Sequence, residues 1–183
     1  MNKAFEALRQ NSQLPPQPPP VPKMASTSFN LALMTIPLYF VLAVYPHLRA
    51  VTIATKGDLT LQDTRNPNGW ENAAKIKKRL SPREFAAYER AERCHANHLE
   101  NGPLFVAAIF AGLLAEKVGE GQVGLNAFAI GWMVVRVLYT VNYLTTETKM
   151  WSYLRTVLYN IGLLWAFVII GRAAFVLGSK DSS

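Results

Sequence analysis

An all-α integral membrane protein, a bundle of four helices, is the fold class that the sequence predicts, and three observations carry the prediction. Half of the 183 residues are hydrophobic, and they fall in blocks at about 29–45, 99–116, 123–144 and 156–178. Each block approaches the roughly 20 residues that a bilayer-spanning helix needs. The third observation is a charged helical stretch, Glu89 to Phe105, that runs without a break into the apolar segment ending near Ala115. Ionised groups entering a membrane-length helix persist where they face the bundle interior, a cavity or one another, so this stretch marks a site.

The expected organisation is a tail over 1–28, a membrane domain over 29–178 and a short C-terminal tail over 179–183. Six prolines between Leu14 and Pro22 bar a helix there and predict an extended segment. Nothing at the N-terminus resembles a cleaved signal sequence, and Met24 is an alternative start to Met1.

The first span, Phe29 to Val44, contains Pro37, which membrane helices tolerate where neighbours satisfy the freed carbonyl. Tyr39, Tyr45 and His47 fall toward its second end and are expected at the interface, which amphipathic rings prefer. A polar connection follows from Pro46 to Leu80. It carries Arg49, Lys56, Arg65, Lys75, Lys77, Lys78 and Arg79, with turn signals at Lys56-Gly57-Asp58 and Asn66-Pro67-Asn68-Gly69.

Ser81-Pro82-Arg83-Glu84 combines an N-cap serine, a proline at the first helical position and a glutamate at the third, so the second helix starts at Pro82. It runs past 110, longer than a bilayer is thick, and its first turns project into water. At about 100° per residue, Arg90, Arg93, Asn97, Glu100 and Asn101 share one face, with His95 and His98 off it.

In the third span, Val123 to Tyr143, Arg136 is buried after a long apolar run and shares a face with Tyr139, Thr140 and Tyr143. Arg136 either pairs with a carboxylate to hold two helices together, Glu100 being the obvious partner, or belongs to the site. A short loop with Glu147 and Lys149 leads to Arg155, which begins the fourth span. Arg172, near its far end, is expected to snorkel to the opposite interface.

Lysine and arginine concentrate in the long connection and the 144–155 loop, so the positive-inside rule puts these in the cytoplasm and both termini in the lumen. Orientation thereby accounts for the net charge of +7. No basic-aromatic module points to nucleic acid. Cys94, the single cysteine, rules out an intrachain disulfide and is expected to be an inert thiol, buried or facing lipid. The same topology places Glu100, Tyr139, Tyr143 and Arg155 at one depth. Arginines, a carboxylate, an asparagine and tyrosine hydroxyls suit a small zwitterionic, carboxylate-rich ligand, because arginine forks pair bidentately with carboxylates. A metal is not expected: Glu92-x-x-His95 has the spacing of a di-iron half-site, but no second copy exists.

Arg90-x-x-Arg93-x-x-x-Asn97-x-x-Glu100-x-x-Pro103-Leu104-Phe105, then Arg136-Val137-x-Tyr139-x-x-x-Tyr143 and Arg155, resembles the MAPEG family, the membrane-associated proteins of eicosanoid and glutathione metabolism. The likeness covers about 29–178 and includes Arg65-Asn66-Pro67. It implies a MAPEG-like four-helix bundle assembled as a homotrimer in an intracellular membrane such as the endoplasmic reticulum. It implies glutathione as co-substrate, bound between subunits on the cytoplasmic side. Carried over by position, Arg93, Asn97, Glu100 and Tyr143 bind the tripeptide, Arg90, Arg136 and Tyr139 support it, and Arg155 lies by the sulfur. The implied chemistry is transfer or peroxide reduction on a lipophilic electrophile arriving from the membrane, with Arg155 and Tyr143 as the catalytic groups. The resemblance also allows a non-catalytic lipid- or partner-binding member, like the five-lipoxygenase-activating protein. Two departures, Ala96 where prostaglandin E synthase-like members have arginine and a longer spacing from Tyr143 to Arg155, point away from an eicosanoid substrate.

Overall fold

The computed structural model describes residues 29–67, 69–119 and 123–180. The proline-rich tail, Met24 and residues 181–183 lie outside the described residues. Among the described residues are five α-helices and no strand: α1 (Leu31–Thr55), α2 (Trp70–Arg79), α3 (Pro82–Val118), α4 (Leu125–Thr145) and α5 (Lys149–Lys180), with a 3-10 turn at Leu59–Leu61. All but α2 are long and apolar enough to cross a membrane.

The Asn30 side chain caps α1 by accepting from the Leu33 N–H at 2.8 Å. The helix then passes through both Pro37 and Pro46 and ends at Thr55, where Lys56 turns into the left-handed region at φ 51°. The expected end near Val44 was short by about three turns, because Pro46, His47 and Arg49 look like a breaker and loop in sequence. α3 packs along this stretch instead: His47 Nδ1 lies 3.0 Å from Glu92 Oε1, and His95 Nδ1 lies 2.7 Å from the Ala43 carbonyl. Tyr39 also departs from its expected place at the interface. It is fully buried and donates its hydroxyl to the His98 carbonyl of α3 at 2.7 Å.

The connection is partly helical. In α2 the Ile76 side chain is buried with Ala54 and Leu80, while Lys77, Lys78 and Arg79 sit in the last turn, where cations complement the helix dipole. Arg65 grips Asp63 through Nε and Nη2, both at 3.1 Å. Those bonds, helped by the Arg65 backbone N–H, hold the Asp63 carboxyl below the usual range. The capping box of α3 forms as its sequence indicates: Ser81 Oγ accepts from the Glu84 N–H and Glu84 Oε2 accepts from the Ser81 N–H at 2.7 Å. With 37 residues, α3 is ~55 Å long against a hydrocarbon core of ~30 Å.

The core gathers aromatic rings from three helices. Trp132 stacks on Phe105 with centroids 5.0 Å apart, and Phe128 and Tyr39 close around the pair. Small residues let α5 approach: the Trp165 ring lies directly over Gly131, where any Cβ would collide with it. Gly131→Ala is therefore expected to lower stability by about 1–3 kcal/mol. A thermal melt in detergent reads this. Exposed residues such as Leu38, Val41, Phe110, Val134, Leu164 and Phe167 cover the outside of the spans with apolar surface, as lipid contact requires.

Candidate functional site

The α4–α5 turn lies at the end of the bundle where α3 begins, Glu147 being 3.5 Å from Arg83, and toward that end α3, α4 and α5 border an open groove. Its walls include Asn97 from α3, Tyr139 and Tyr143 from α4, and Ser152, Arg155 and Tyr159 from α5. The volume is about 420 Å³, within the roughly 300–1,000 Å³ of small-molecule sites. Four residues singled out from the sequence, Asn97, Tyr139, Tyr143 and Arg155, thus line one surface.

Their order has a physical cause. Tyr139 and Tyr143 are one helical turn apart, and their rings meet at 5.5 Å. The Arg155 guanidinium lies 4.3 Å over the Tyr143 ring, a cation–π contact that holds the charge without neutralising it. No ion pair among the described residues involves Arg155. An open groove therefore presents an uncompensated cation beside a phenol hydroxyl.

Behind Tyr139 lies Arg136, 1% exposed. Its guanidinium sits among three rings, 4.6 Å from Trp132, 5.5 Å from Tyr139 and 5.8 Å from Tyr159, and none of its three nitrogens has a hydrogen-bond partner. The expected pair with Glu100 does not form. At this level α3 turns His98 toward α4: His98 Nε2 lies 2.8 Å from Thr140 Oγ1, whose own hydrogen goes to the Arg136 carbonyl at 2.8 Å. Glu100, two residues on, is about 200° around the helix and is exposed.

Arg93 and Glu100 occupy the outward face of α3 on either side of Asn97, and neither makes an ion pair among the described residues. Asn97 is tied back to the Arg93 carbonyl at 2.8 Å. Arg90 is turned away from the groove, its Nη2 3.6 Å from Glu147 in the α4–α5 turn. Cys94 is fully buried. Glu92 faces His47, and no group of three His, Cys, Asp or Glu able to hold a metal occurs among the described residues.

The groove residues that sequence reasoning missed are Ser152, Tyr153, Thr156 and Tyr159. With α5 taken to begin near 156, Ser152 and Tyr153 fell in a loop. The usable signal was the spacing of Ser152, Arg155 and Tyr159, three and four apart, which marks one helical face.

Four apolar spans around an aromatic core define a multi-pass integral membrane protein, with an arginine- and tyrosine-lined groove near one end as its candidate site. The model of the MAPEG family matches residues 24–175, and the chain belongs to that family. Its members include glutathione transferases and peroxidases and also non-catalytic proteins. Comparison with curated proteins and with solved structures gives no match.

Proposed function

We propose that the protein is a glutathione-dependent transferase or peroxidase acting on lipophilic electrophiles, with the thiol of glutathione seated beside Arg155. The observation that carries this reading is the uncompensated Arg155 guanidinium in an open groove, 4.3 Å over the Tyr143 ring. A free thiol has a pKa of about 8.5, and a neighbouring cation lowers it, making thiolate available near neutral pH. The Tyr143 hydroxyl adds a hydrogen-bond donor for the sulfur. In conjugation the thiolate attacks an electrophilic carbon, an S–C bond forms, and the leaving group departs with the bonding pair. The apolar flanks of the spans give a lipid-soluble electrophile its route to that thiolate.

Asn97 contributes from the groove wall. Arg93 and Glu100 complete the peptide site when a second copy packs against the outward face of α3, in a homotrimer whose groove end faces the cytoplasm. Arg136 and Tyr139 support the site from behind, Arg136 acting through the Tyr139 ring. Arg90 acts at a further remove, through its contact with the α4–α5 turn that leads into Arg155.

Calorimetry of the purified protein in detergent tests the reading. Saturable glutathione binding is expected, weakened in Arg93→Ala, Asn97→Ala and Glu100→Ala, with about 2–5 kcal/mol lost where a buried charge pair is broken. Each variant needs a melt beside its titration. Absence of binding at millimolar glutathione would make the chain one of the non-catalytic members.

A further inference from the structure

A second groove, of about 730 Å³, lies between the start of α3, the end of α4 and the first turns of α5. It shares no lining residue with the first: α4 presents Leu138, Val141 and Asn142 to it, and Tyr139 and Tyr143 to the other. Its long walls are apolar, formed by Leu138, Val141, Leu154 and Leu158. Its mouth is charged. Glu147 lies 3.5 Å from Arg83 Nε and 3.6 Å from Arg90 Nη2, so two guanidinium groups against one carboxylate leave a net +1. The Arg83 side chain is 85% exposed and keeps donors free.

Between mouth and wall sits Asn142, 9% exposed. Its Nδ2 donates to the Trp151 carbonyl at 3.3 Å, which fixes the orientation of the amide and leaves Oδ1 buried with no partner. A buried acceptor without a donor costs about 1–3 kcal/mol. Trp151 is itself 63% exposed beside the groove, a ring placed where tryptophans mark the headgroup level.

We propose that this groove binds an anionic phospholipid whose headgroup carries a hydroxyl. The phosphodiester charge is met by Arg83, the headgroup hydroxyl donates to Asn142 Oδ1, and an acyl chain lies along Leu138, Val141, Leu154 and Leu158. Each part of the groove has a matching part in that ligand: excess positive charge for the phosphodiester, an orphaned acceptor for a headgroup hydroxyl folded back beside the phosphate, and an apolar trough for an acyl chain. A zwitterionic choline lipid supplies neither net charge nor a donor.

Native mass spectrometry of the full-length protein in detergent, titrated with phosphatidylglycerol or with phosphatidylcholine of the same chains, tests this. Phosphatidylglycerol should be retained at least about fivefold better, as one interfacial arginine contributes about 1 kcal/mol. Arg83→Glu and Asn142→Leu should each reduce that preference, and Leu154→Trp, which fills the trough, should abolish retention. Val141→Trp replaces Leu154→Trp if the latter melts early. Equal retention of the two lipids would overturn the proposal. So would loss of preference in Arg83→Glu with retention intact in the trough-filled variant, since a surface cation alone would then explain the binding. Glutathione titrations are independent of this outcome, because the two grooves have no residue in common.

Discussion

Arg155→Ala is expected to lower turnover by about 10²-fold or more with any electrophile that the wild type accepts, the usual cost of removing one preorganised electrostatic group from a reacting centre. Glutathione affinity should fall much less. The sulfur carries its charge chiefly in the thiolate that reacts, so the guanidinium does more for that state than for the bound thiol. A drop in kcat that exceeds the change in affinity is the signature of such an interaction. Arg155→Lys keeps a cation but loses the planar fork and its stacking on Tyr143, so partial activity is expected. Were Arg155→Ala to leave turnover unchanged, Arg155 would be an interfacial charge, and the Tyr143 hydroxyl, tested by Tyr143→Phe, would be the remaining activator.

Trp132→Ala should produce the largest loss of stability, about 3–5 kcal/mol for a fully buried aromatic side chain. Trp132 is 0% exposed, stacks on Phe105 at 5.0 Å and 15°, and meets Phe128 at 5.7 Å and Tyr39 at 6.1 Å. It also carries the shortest of the three ring contacts to Arg136, 4.6 Å. Removing it opens a cavity in the core and strips a buried cation of its nearest π face in one step. Trp132→Phe keeps most of the volume and one ring face, so it should recover much of the loss. Thermal melts of the two variants in the same detergent distinguish these effects. Equal melting points for wild type and Trp132→Ala would contradict the packing described.

The helical architecture was legible wherever local chemistry and hydropathy agreed. Ser81-Pro82-Arg83-Glu84 located the start of α3 to the residue, because a capping box is a local hydrogen-bond pattern that sequence spacing encodes. The α4 boundaries, Leu125–Thr145, fall within two residues of the apolar block. The misses were places where tertiary partners overrode a local signal. Pro46 does not end α1, since His47 and the Ala43 carbonyl find partners on α3. Residues 149–155 form the first turns of α5 although Lys149, Ser152 and Arg155 interrupt their apolar pattern, because Tyr143 and the Asn142 side chain offer contacts to Arg155 and to the Trp151 carbonyl.

The same distinction holds for the candidate site. Helical periodicity put Tyr139 and Tyr143 on one face, and depth put Arg155 beside them. Periodicity could not decide which residue of α3 meets Arg136, because Glu100 and His98 stand at the same depth and differ only in azimuth. A formal charge made Glu100 the natural partner, yet α3 turns His98 toward Thr140 on α4 and the cation is surrounded by rings instead. Tyr39 was misplaced for a related reason: its preference for interfaces is statistical, whereas the hydroxyl's bond to the His98 carbonyl is specific to this bundle.

The most direct test of thiolate stabilisation by Arg155 is the ultraviolet absorbance of glutathione thiolate, followed as the protein-bound tripeptide is titrated with pH. The predicted result is a thiol that titrates below the free value of about 8.5 in the wild type and returns toward it in Arg155→Ala. A bound thiol that titrates at the free value in the wild type, or at the same lowered value in both proteins, would contradict it.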